Sequence, residues 1–361
     1  MKALLERLVN VNSHTANVAG VNRVGELILQ ALRDLALRVE VEAGPSGAHH
    51  LSFATERATR EPAILLVGHH DTVFPPGTFE GYREEGEVAR GPGVLDMKGG
   101  LAIIIEVLHQ LDALNLPLRF VTVADEEIGS PSGKQLLESL VPRCRAALVF
   151  EAGRAGDAII TARRGSGQAF VQAIGKAAHA GNNLADGRNA IWALSRFVEH
   201  VSARQSSIEG ASANVGLIRG GSARNTVPAE ASAELDLRFR DRAGQEQMFA
   251  LLHEGAATAI EGTRLQLDLR ISRMPWARTE QSAALAAQYG KHALAAGLQY
   301  GEAATIGGGS DANTVGALGL PAIDGLGPRG KGFHTHDEYI ELPSLALKAD
   351  ALARFLRTLS A

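Results

Sequence analysis

Short apolar runs alternate with segments of helical period through the first 160 residues. Three runs rich in β-branched residues predict strands at Ala63 to Val67, Leu118 to Val123 and Ala146 to Phe150. Apolar residues at helical spacing predict helices near Val21 to Leu37 and Gly99 to Leu114. Because nearly continuous apolar strands separated by helices are typical of sheets covered on both faces, we predict an α/β fold with a mostly parallel sheet.

From about Arg164 the pattern changes, and the strands now alternate apolar and polar residues. The predicted elements are, in order, a strand at Phe170 to Ile174, a helix through Ile191, Leu194, Val198 and Val201, strands at Val215 to Ile218 and Ala231 to Phe239, a helix through Met248, Leu252 and Ile260, and a strand at Leu265 to Ile271. This β-α-β-β-α-β order predicts an inserted ferredoxin-like domain, residues 164–275. Helical segments at Ala283 to Ala296 and Leu345 to Leu359 then resume the first domain, which comprises residues 1–163 and 276–361.

Composition narrows the functional classes. The 361 residues suffice for two domains, and a net charge of -4 offers no basic surface for nucleic acid. The single cysteine, Cys144, excludes an intrachain disulfide and a cluster of thiolate metal ligands. Glu6 and Arg7 interrupt the apolar N-terminus, and no stretch has 18 consecutive apolar residues. We therefore expect a soluble, cytoplasmic protein that binds neither nucleic acid nor membrane.

Polar residues stand where the first two predicted strands of the sheet end. His69 and Asp71 follow Ala63 to Val67, and residues two apart at a strand end share a face, so both side chains can point the same way. A metal-binding histidine needs its second ring nitrogen oriented by an acceptor, which Asp71 is placed to provide. The alternative is a polar surface turn. Clustered acids, among them Glu126 and Glu127, follow the strand at Leu118 to Val123 and would repel one another without a cation.

Further candidates lie in a glycine-rich segment, after the next strand and near the C-terminus. Asp96 lies within Gly91 to Gly100, which could also form a phosphate loop, although neither common nucleotide-binding glycine motif is present. Glu151 follows the strand at Ala146 to Phe150, and the segment around His334 adds a second imidazole. Any one of these acids could be a solvated charge or a helix cap. Together, two imidazoles and three carboxylates suit two zinc ions that share one carboxylate.

With these motifs the chain resembles the dizinc metallopeptidases that include carboxypeptidase G (glutamate carboxypeptidase), acetylornithine deacetylase and succinyl-diaminopimelate desuccinylase. The resemblance covers essentially the whole chain, and the segments Gly91 to Gly100 and Gly307 to Asp311 are closest to the carboxypeptidase G branch. It implies two zinc ions per chain, with ligands His69 and Glu151 on one, Glu127 and His334 on the other, and Asp96 bridging them. It further implies that Asp71 orients His69, that Glu126 is the general base, and that the Asp96–Met97 peptide bond is cis.

For the inserted domain the resemblance implies a lid that also forms a homodimer. His179 and Asn225 would reach substrate in the partner subunit, with His179 stabilising the oxyanion, and Arg238 would bind a substrate carboxylate. From spacing alone, these are a loop histidine, a turn asparagine and an exposed charge. The resemblance also assigns Gly308 and Gly309 to substrate binding. Before Pro275, glutamate carboxypeptidases carry an arginine where this chain has Met274, with Arg273 one place earlier.

These observations predict a zinc-dependent hydrolase that cleaves an amide bond next to a free carboxylate. We expect a carboxypeptidase acting on short peptides or N-acyl amino acids. An N-acyl-amino-acid deacylase is the first alternative, since the zinc chemistry is shared and only the pocket differs. A non-catalytic dimeric binding protein is the second alternative, but no expected ligand or base is missing.

Overall fold

The computed structural model describes residues 1–111, 115–258 and 260–359. The chain forms two compact units. The larger comprises Met1–Ala162, Arg278–Ile306 and the chain from Ser310 onward, and the smaller comprises Arg163–Ala277 with Gly307–Gly309. Residues 112–114, the end of the predicted helix Gly99 to Leu114, lie outside the described residues, as do residues 259 and 360–361 of the predicted domains.

The strands, in chain order, are β1 (Arg38–Ala43), β2 (His49–Ala54), β3 (Ala63–His69), β4 (Arg83–Glu85), β5 (Val88–Arg90), β6 (Leu118–Val123), β7 (Cys144–Val149), β8 (Gly165–Ile174), β9 (Ala211–Gly220), β10 (Glu230–Phe239), β11 (Arg264–Arg273), β12 (Ala322–Ile323), β13 (Gly330–Lys331) and β14 (Tyr339–Glu341). The helices are α1 (Lys2–Val9), α2 (Val18–Leu32), α3 (Gly99–Gln110), α4 (Gly133–Leu140), α5 (Ala190–Arg204), α6 (Arg242–Ala257), α7 (Glu280–Ala295), α8 (Asp311–Ala317) and α9 (Leu342–Arg357). None of the described helices is both long and apolar enough to cross a membrane.

The main sheet of the larger unit has the strand order β1-β2-β6-β3-β7-β12. Strands β6, β3, β7 and β12 are parallel neighbours, whereas β1 and β2 add an antiparallel edge. Every residue of β3 and β6 is buried, because helices cover both faces of these central strands. The predicted mostly parallel α/β sheet is confirmed.

The edge of this sheet departs from the prediction. Helix α2 ends at Leu32 rather than Leu37, and β1 and β2 follow it although neither was predicted. Polar and apolar residues alternate along β1, but all six residues are exposed, so this alternation does not correspond to a buried face.

A small sheet in the same unit joins distant parts of the sequence, in the order β13-β14-β5-β4. Strand β14 pairs antiparallel with β5, so that Tyr339 lies opposite Arg90. This pairing holds the β13–β14 hairpin, which contains His334, against the segment that leads into Asp96.

The smaller unit is an antiparallel sheet in the order β11-β8-β10-β9. Helices α5 and α6 pack on one face, and their apolar residues, including Leu194, Phe197 and Leu252, form a core with alternate residues of β8 and β10. Helix α6 ends at Ala257, so Ile260, predicted to lie on it, follows the helix. The order of elements is the predicted ferredoxin-like β-α-β-β-α-β.

Candidate metal centre

His69 is the last residue of β3 and is buried together with Asp71. The Nδ1 atom of His69 lies 3.1 Å from the Asp71 backbone oxygen and 3.4 Å from its Oδ1 atom. This contact orients the ring so that Nε2 faces the other carboxylates. The intervening His70 points elsewhere, with its Nδ1 atom 2.9 Å from the Thr122 hydroxyl, and burial lowers the pKa of His70 to about 3. The alternation expected at this strand end is present.

The Asp71 carboxylate links this strand end to the acidic turn after β6. It accepts hydrogen bonds from the backbone N–H groups of Glu126 (3.1 Å) and Glu127 (3.2 Å) and from the Thr15 hydroxyl (2.6 Å). One carboxylate thus fixes both the imidazole and the turn that carries the two glutamates.

Asp125 does not share this orientation. Its carboxylate accepts hydrogen bonds from the N–H groups of Ser132 (2.8 Å) and Gly133 (3.1 Å) and from the Ser132 hydroxyl (2.6 Å). Asp125 therefore holds the start of α4, which relieves the charge repulsion expected from three adjacent acids.

Asp96 lies between the two imidazoles. Its Oδ1 atom is 3.2 Å from Nε2 of His69, and its Oδ2 atom is 3.3 Å from Nε2 of His334. The backbone that presents this carboxylate is irregular, and the Asp96–Met97 peptide bond is cis, as the resemblance implied.

Two further glutamates lie beside the two imidazoles, one on each side of Asp96. Glu151 Oε2 lies 3.8 Å from Nε2 of His69, and Glu127 Oε2 lies 3.2 Å from Nε2 of His334. The structure thus brings together all five residues that the sequence nominated as metal ligands, with one imidazole and one glutamate on each side of Asp96. We call this set the metal cluster.

The electrostatics of the metal cluster call for added positive charge. Burial alone would lower the pKa of His69, but the neighbouring carboxylates raise it well above its ordinary value. Hydrogen bonds to Asp96 and Glu127 raise the pKa of His334 to about 10. Burial and the charge of Asp96 raise the pKa of both Glu127 and Glu151, since each carboxylate is costly beside the others without a cation.

The donor set fits zinc. His69, Asp96 and Glu127 have ligand atoms that all lie within 4.8 Å of one another. Among the described residues, the buried Oε1 atom of Glu127 has no hydrogen-bond partner, as expected of an oxygen reserved for a metal. Imidazole nitrogens and carboxylate oxygens are ordinary zinc ligands.

Comparison with known proteins identifies the chain's relatives. The pattern of peptidase family M20/M25/M40 matches residues 65–358. The chain belongs to this family. M20 peptidases are metal-dependent hydrolases, and the chain is a metallohydrolase.

Individual M20 relatives match along nearly the whole chain. Carboxypeptidase G2 of Pseudomonas sp. (strain RS-16) is 27% identical over 372 residues, which cover 99% of this chain and 88% of that protein. Succinyl-diaminopimelate desuccinylase of Rhizorhabdus wittichii is 27% identical over 381 residues, covering 99% and 97%. The fold is shared with aminopeptidase PepT from Bacillus cereus, at a TM-score of 0.80, 21% identity and coverage of 99% and 97%.

Sequence reasoning missed Glu338, a buried acid next to the metal cluster of this M20 chain. Its Oε1 atom accepts hydrogen bonds from the N–H groups of Leu95 (2.8 Å) and Asp96 (3.0 Å), and its Oε2 atom from that of Gly93 (3.1 Å). Glu338 therefore holds the loop that presents Asp96. The sequence offers little signal for this role, because an acid four residues after His334 is equally compatible with a solvated hairpin.

The glycines around Asp96 serve packing and backbone geometry. Gly93 has a φ of 72°, and a Cβ atom there would lie 2.6 Å from Cγ2 of Thr72. A Cβ atom on Gly100 would collide with the carbonyl oxygen of Phe150. These contacts within the chain account for Gly93 and Gly100 without a phosphate ligand.

In the smaller unit, the backbone segments that carry His179 and Asn225 lie side by side, since the Ala180 N–H donates to the Asn225 carbonyl oxygen at 2.9 Å. Both side chains are exposed. Arg238 on β10 forms a two-pronged ion pair with Asp236 at 2.8 and 2.9 Å, so an internal carboxylate already engages this predicted substrate-binding residue.

The remaining predicted positions of this unit lie at its ends. The Gly308 carbonyl oxygen accepts a hydrogen bond of 2.7 Å from Arg163, and Gly309 follows it in the same short segment. Arg273 is buried at the end of β11, and Met274 after it is partly exposed.

Proposed function

We propose that the chain is a zinc-dependent carboxypeptidase that hydrolyses the amide bond next to a free carboxylate in short peptides or N-acyl amino acids. The observation that carries the hydrolytic part of this proposal is the arrangement of the metal cluster, in which His69 with Glu151 and His334 with Glu127 flank the shared Asp96. The carboxypeptidase part is supported by the similarity to carboxypeptidase G2. Each histidine–glutamate pair would hold one zinc ion. When bound, the ions would supply a water that ionises near neutral pH and a positive charge facing the substrate carbonyl.

The chain's own groups support the proton transfers. Glu126 is partly exposed, whereas the side chain of Glu127 is only 5% exposed, and Asp71 accepts a hydrogen bond from the Glu126 backbone N–H. In our proposal its carboxylate takes a proton from the attacking water and delivers it to the nitrogen of the leaving amine. Asp71 keeps the His69 ring oriented through Nδ1.

The role of Glu126 is tested by Glu126→Gln. The variant should keep two zinc ions per chain while kcat falls by about 100-fold or more, because a general acid–base group is lost and the ligands remain. Glu138→Gln, which changes an exposed glutamate on α4, is the matched control and should leave kcat unchanged. Metal analysis that finds at most one zinc ion, or near-normal turnover of Glu126→Gln, would refute this part of the proposal.

The substrate class is tested with matched compounds. The chain should hydrolyse dipeptides and N-acyl amino acids with a free terminal carboxylate and should fail on the same compounds with that carboxylate amidated. A deacylase is the second candidate, since the desuccinylase relative is as similar, at 27% identity, as carboxypeptidase G2. Faster turnover of N-succinyl or N-acetyl amino acids than of any dipeptide would favour the deacylase.

We further propose that residues 164–275 form a lid and the contact of a homodimer. Strand β9 is an edge strand of its sheet, where Leu217 is 47% and Ile218 58% exposed, and Trp192 on α5 is 62% exposed. Edge strands with exposed apolar residues favour pairing with another chain. Ile218→Lys should therefore produce monomers in sedimentation, whereas Leu294→Lys, at a 57% exposed position on α7, should not.

The dimer would let His179 act on substrate in the partner subunit. A His179→Ala chain and a Glu126→Gln chain should each be nearly inactive, while their heterodimer should regain one intact site. No recovery of activity despite demonstrated subunit exchange would place His179 in its own chain's site or outside the reaction.

A further inference from the structure

A cavity of about 440 Å³ lies at the end of the main sheet away from the metal cluster. Its lining includes Arg119, the second residue of β6, which lies four residues before Val123 at the strand's carboxyl end. At about 3.3 Å per residue this is roughly 13 Å from the end that leads to the acidic turn. The cavity is therefore a separate feature of the larger unit.

The register of three strands explains the shape of the cavity floor. Arg38 on β1 pairs with Ala54 on β2, and Ala54 pairs with Arg119 on β6, so the three side chains share one sheet face. The strands of the two arginines are two spacings apart, roughly 10 Å. The small Ala54 side chain between them leaves room for a ligand.

Arginines outnumber acids among the charged residues of the lining. The arginines are Arg38, Arg60, Arg119 and Arg143, and the acids are Glu40 and Glu61. Glu61 is already paired with Arg57 at 2.7 Å. The cavity is thus positive on a chain whose net charge is -4.

Two of these arginines are not fully paired with the described residues of the chain. Arg119 is buried, and its Nη2 atom donates to the Ala58 carbonyl oxygen at 3.0 Å, while its Nε atom has no hydrogen-bond partner among the described residues. Arg143 forms no ion pair with any residue that the structure describes. The Nε atom of Arg119 is itself enclosed by protein, so an anion in the cavity would be attracted by the unpaired charge of the Arg119 guanidinium rather than bonded by this N–H group.

The other two arginines share one internal carboxylate. Glu56 accepts from Arg38 at 2.9 Å and from Arg60 at 3.1 Å. Both pairs are exposed, so a competing oxyanion can displace Glu56 at small cost.

We propose that this cavity binds a phosphate group, free or as a small monoester, through Arg119 and Arg143, with Arg38 and Arg60 turning from Glu56 to the ligand. The guanidinium fork matches the geometry of phosphate oxygens. The cavity volume leaves space for an organic substituent beside the phosphate.

The test is calorimetric titration of the zinc-loaded protein with inorganic phosphate at constant ionic strength, set beside three variants. Arg143→Ala should weaken binding by about fivefold or more, and Glu56→Gln should tighten it by about threefold, because Arg38 and Arg60 are released. Arg33→Ala, an exposed arginine of the same unit outside the cavity, should leave the Kd unchanged. Any phosphate that binds at the metal cluster would contribute equally to the heat measured for the wild type and for the three variants.

The proposal requires both the weaker phosphate binding of Arg143→Ala and the tighter phosphate binding of Glu56→Gln. An unchanged Kd in Arg143→Ala or in Glu56→Gln, or an equal loss in Arg33→Ala, would overturn the proposal. A parallel titration with glycerol phosphate separates the two sources of the ligand, since a monoester site binds it more tightly than inorganic phosphate and a site for free phosphate binds it less tightly. All three substitutions lie at exposed positions, so the fold is preserved in the test.

Discussion

The larger unit contains two buried acidic centres that are compensated in different ways. In the metal cluster, Asp96, Glu127 and Glu151 form ion pairs only with imidazoles among the described residues. At the other centre, Asp157 meets cations of its own chain. Its carboxylate accepts from Arg329 Nε at 2.8 Å and from the Gln299 N–H at 2.9 Å, and Lys348 Nζ lies 3.4 Å away.

This difference shows how a metal site can be distinguished from a structural ion pair. Buried carboxylates are stable only when positive charge or hydrogen bonds replace water. Asp157 receives both from residues at distant points of the sequence, so its centre is complete as the chain folds. The metal cluster gathers three carboxylates around two imidazoles, and no lysine or arginine of the described residues pairs with them.

The largest expected effect comes from Glu151→Gln. The variant should lose zinc at one position and lower kcat by about 1,000-fold or more, because the ligand set of that ion is broken. In chelator, by contrast, its free energy of unfolding should equal or exceed that of the wild type, because one of three facing carboxylates is gone. Zinc analysis, steady-state kinetics and urea unfolding measure the three quantities. A clear loss of stability in chelator would contradict the comparison.

Asp157→Asn should produce the opposite result. Removing this carboxylate leaves Lys348 buried without its partner, so the free energy of unfolding should fall by about 3 kcal/mol while zinc content stays at the wild-type level. Urea unfolding in chelator is the measurement. Asp350→Asn, which breaks an exposed pair with Arg354, is the matched control and should change stability by less than about 0.5 kcal/mol.

Glu338→Gln tests whether the metal cluster depends on its supporting loop. A glutamine keeps one acceptor oxygen but turns an amide N–H toward a backbone N–H, so the Asp96 loop should shift and zinc affinity should fall by about tenfold to 100-fold. Competition with a chelator of known affinity gives the zinc Kd. Glu341→Gln, at an exposed position three residues later, should bind zinc normally. Equal zinc affinity in the two variants would rule out the support role.

The smallest expected effect is the acid dependence of the Asp157 centre. Burial opposes it, but the hydrogen bond from Arg329 and the charge of Lys348 hold the pKa of Asp157 below its usual range. The stabilisation is therefore present above the ordinary aspartate pKa of about 4 and is lost as the pH falls through the folded-state value. In chelator, the stability difference between wild type and Asp157→Asn should shrink by about 1 kcal/mol or more from pH 6 to pH 3. A constant difference would mean that the ion pair is not its source.

The features that could be predicted from the sequence are those marked by apolar periodicity or by polar residues at strand ends. The central strands, the six elements of the smaller unit and the polar residues at strand ends follow from apolar spacing and from the rule that parallel strands end at one edge of the sheet. Strand ends and a glycine-rich segment pointed to His69, Asp96, the pair Glu126 and Glu127, and Glu151, and the C-terminal segment added His334. The ligand roles, with Glu127 rather than Glu126, were implied by the family resemblance.

Other features depend on contacts that sequence spacing does not show. Strand β1 has no buried face to mark it. Glu338 and Asp157 look like surface acids, and their burial depends on partners about 240 and 170 residues away. These are tertiary contacts, and single-residue chemistry does not predict them.

The connectivity of the larger unit has a consequence for biosynthesis. A ribosome delivers the chain from its N-terminus, so His69, Asp96, Glu127 and Glu151 emerge first, and the main segment of the smaller unit, Arg163–Ala277, follows. His334 and Glu338 come later on the β13–β14 hairpin. Until that hairpin pairs with β5, the Asp96 loop lacks the acceptor of three of its N–H groups, and one side of the cluster lacks its imidazole. A nascent chain can therefore fold its inserted unit while the metal cluster is still incomplete, so we expect hydrolytic activity only after the hairpin has emerged and paired with β5.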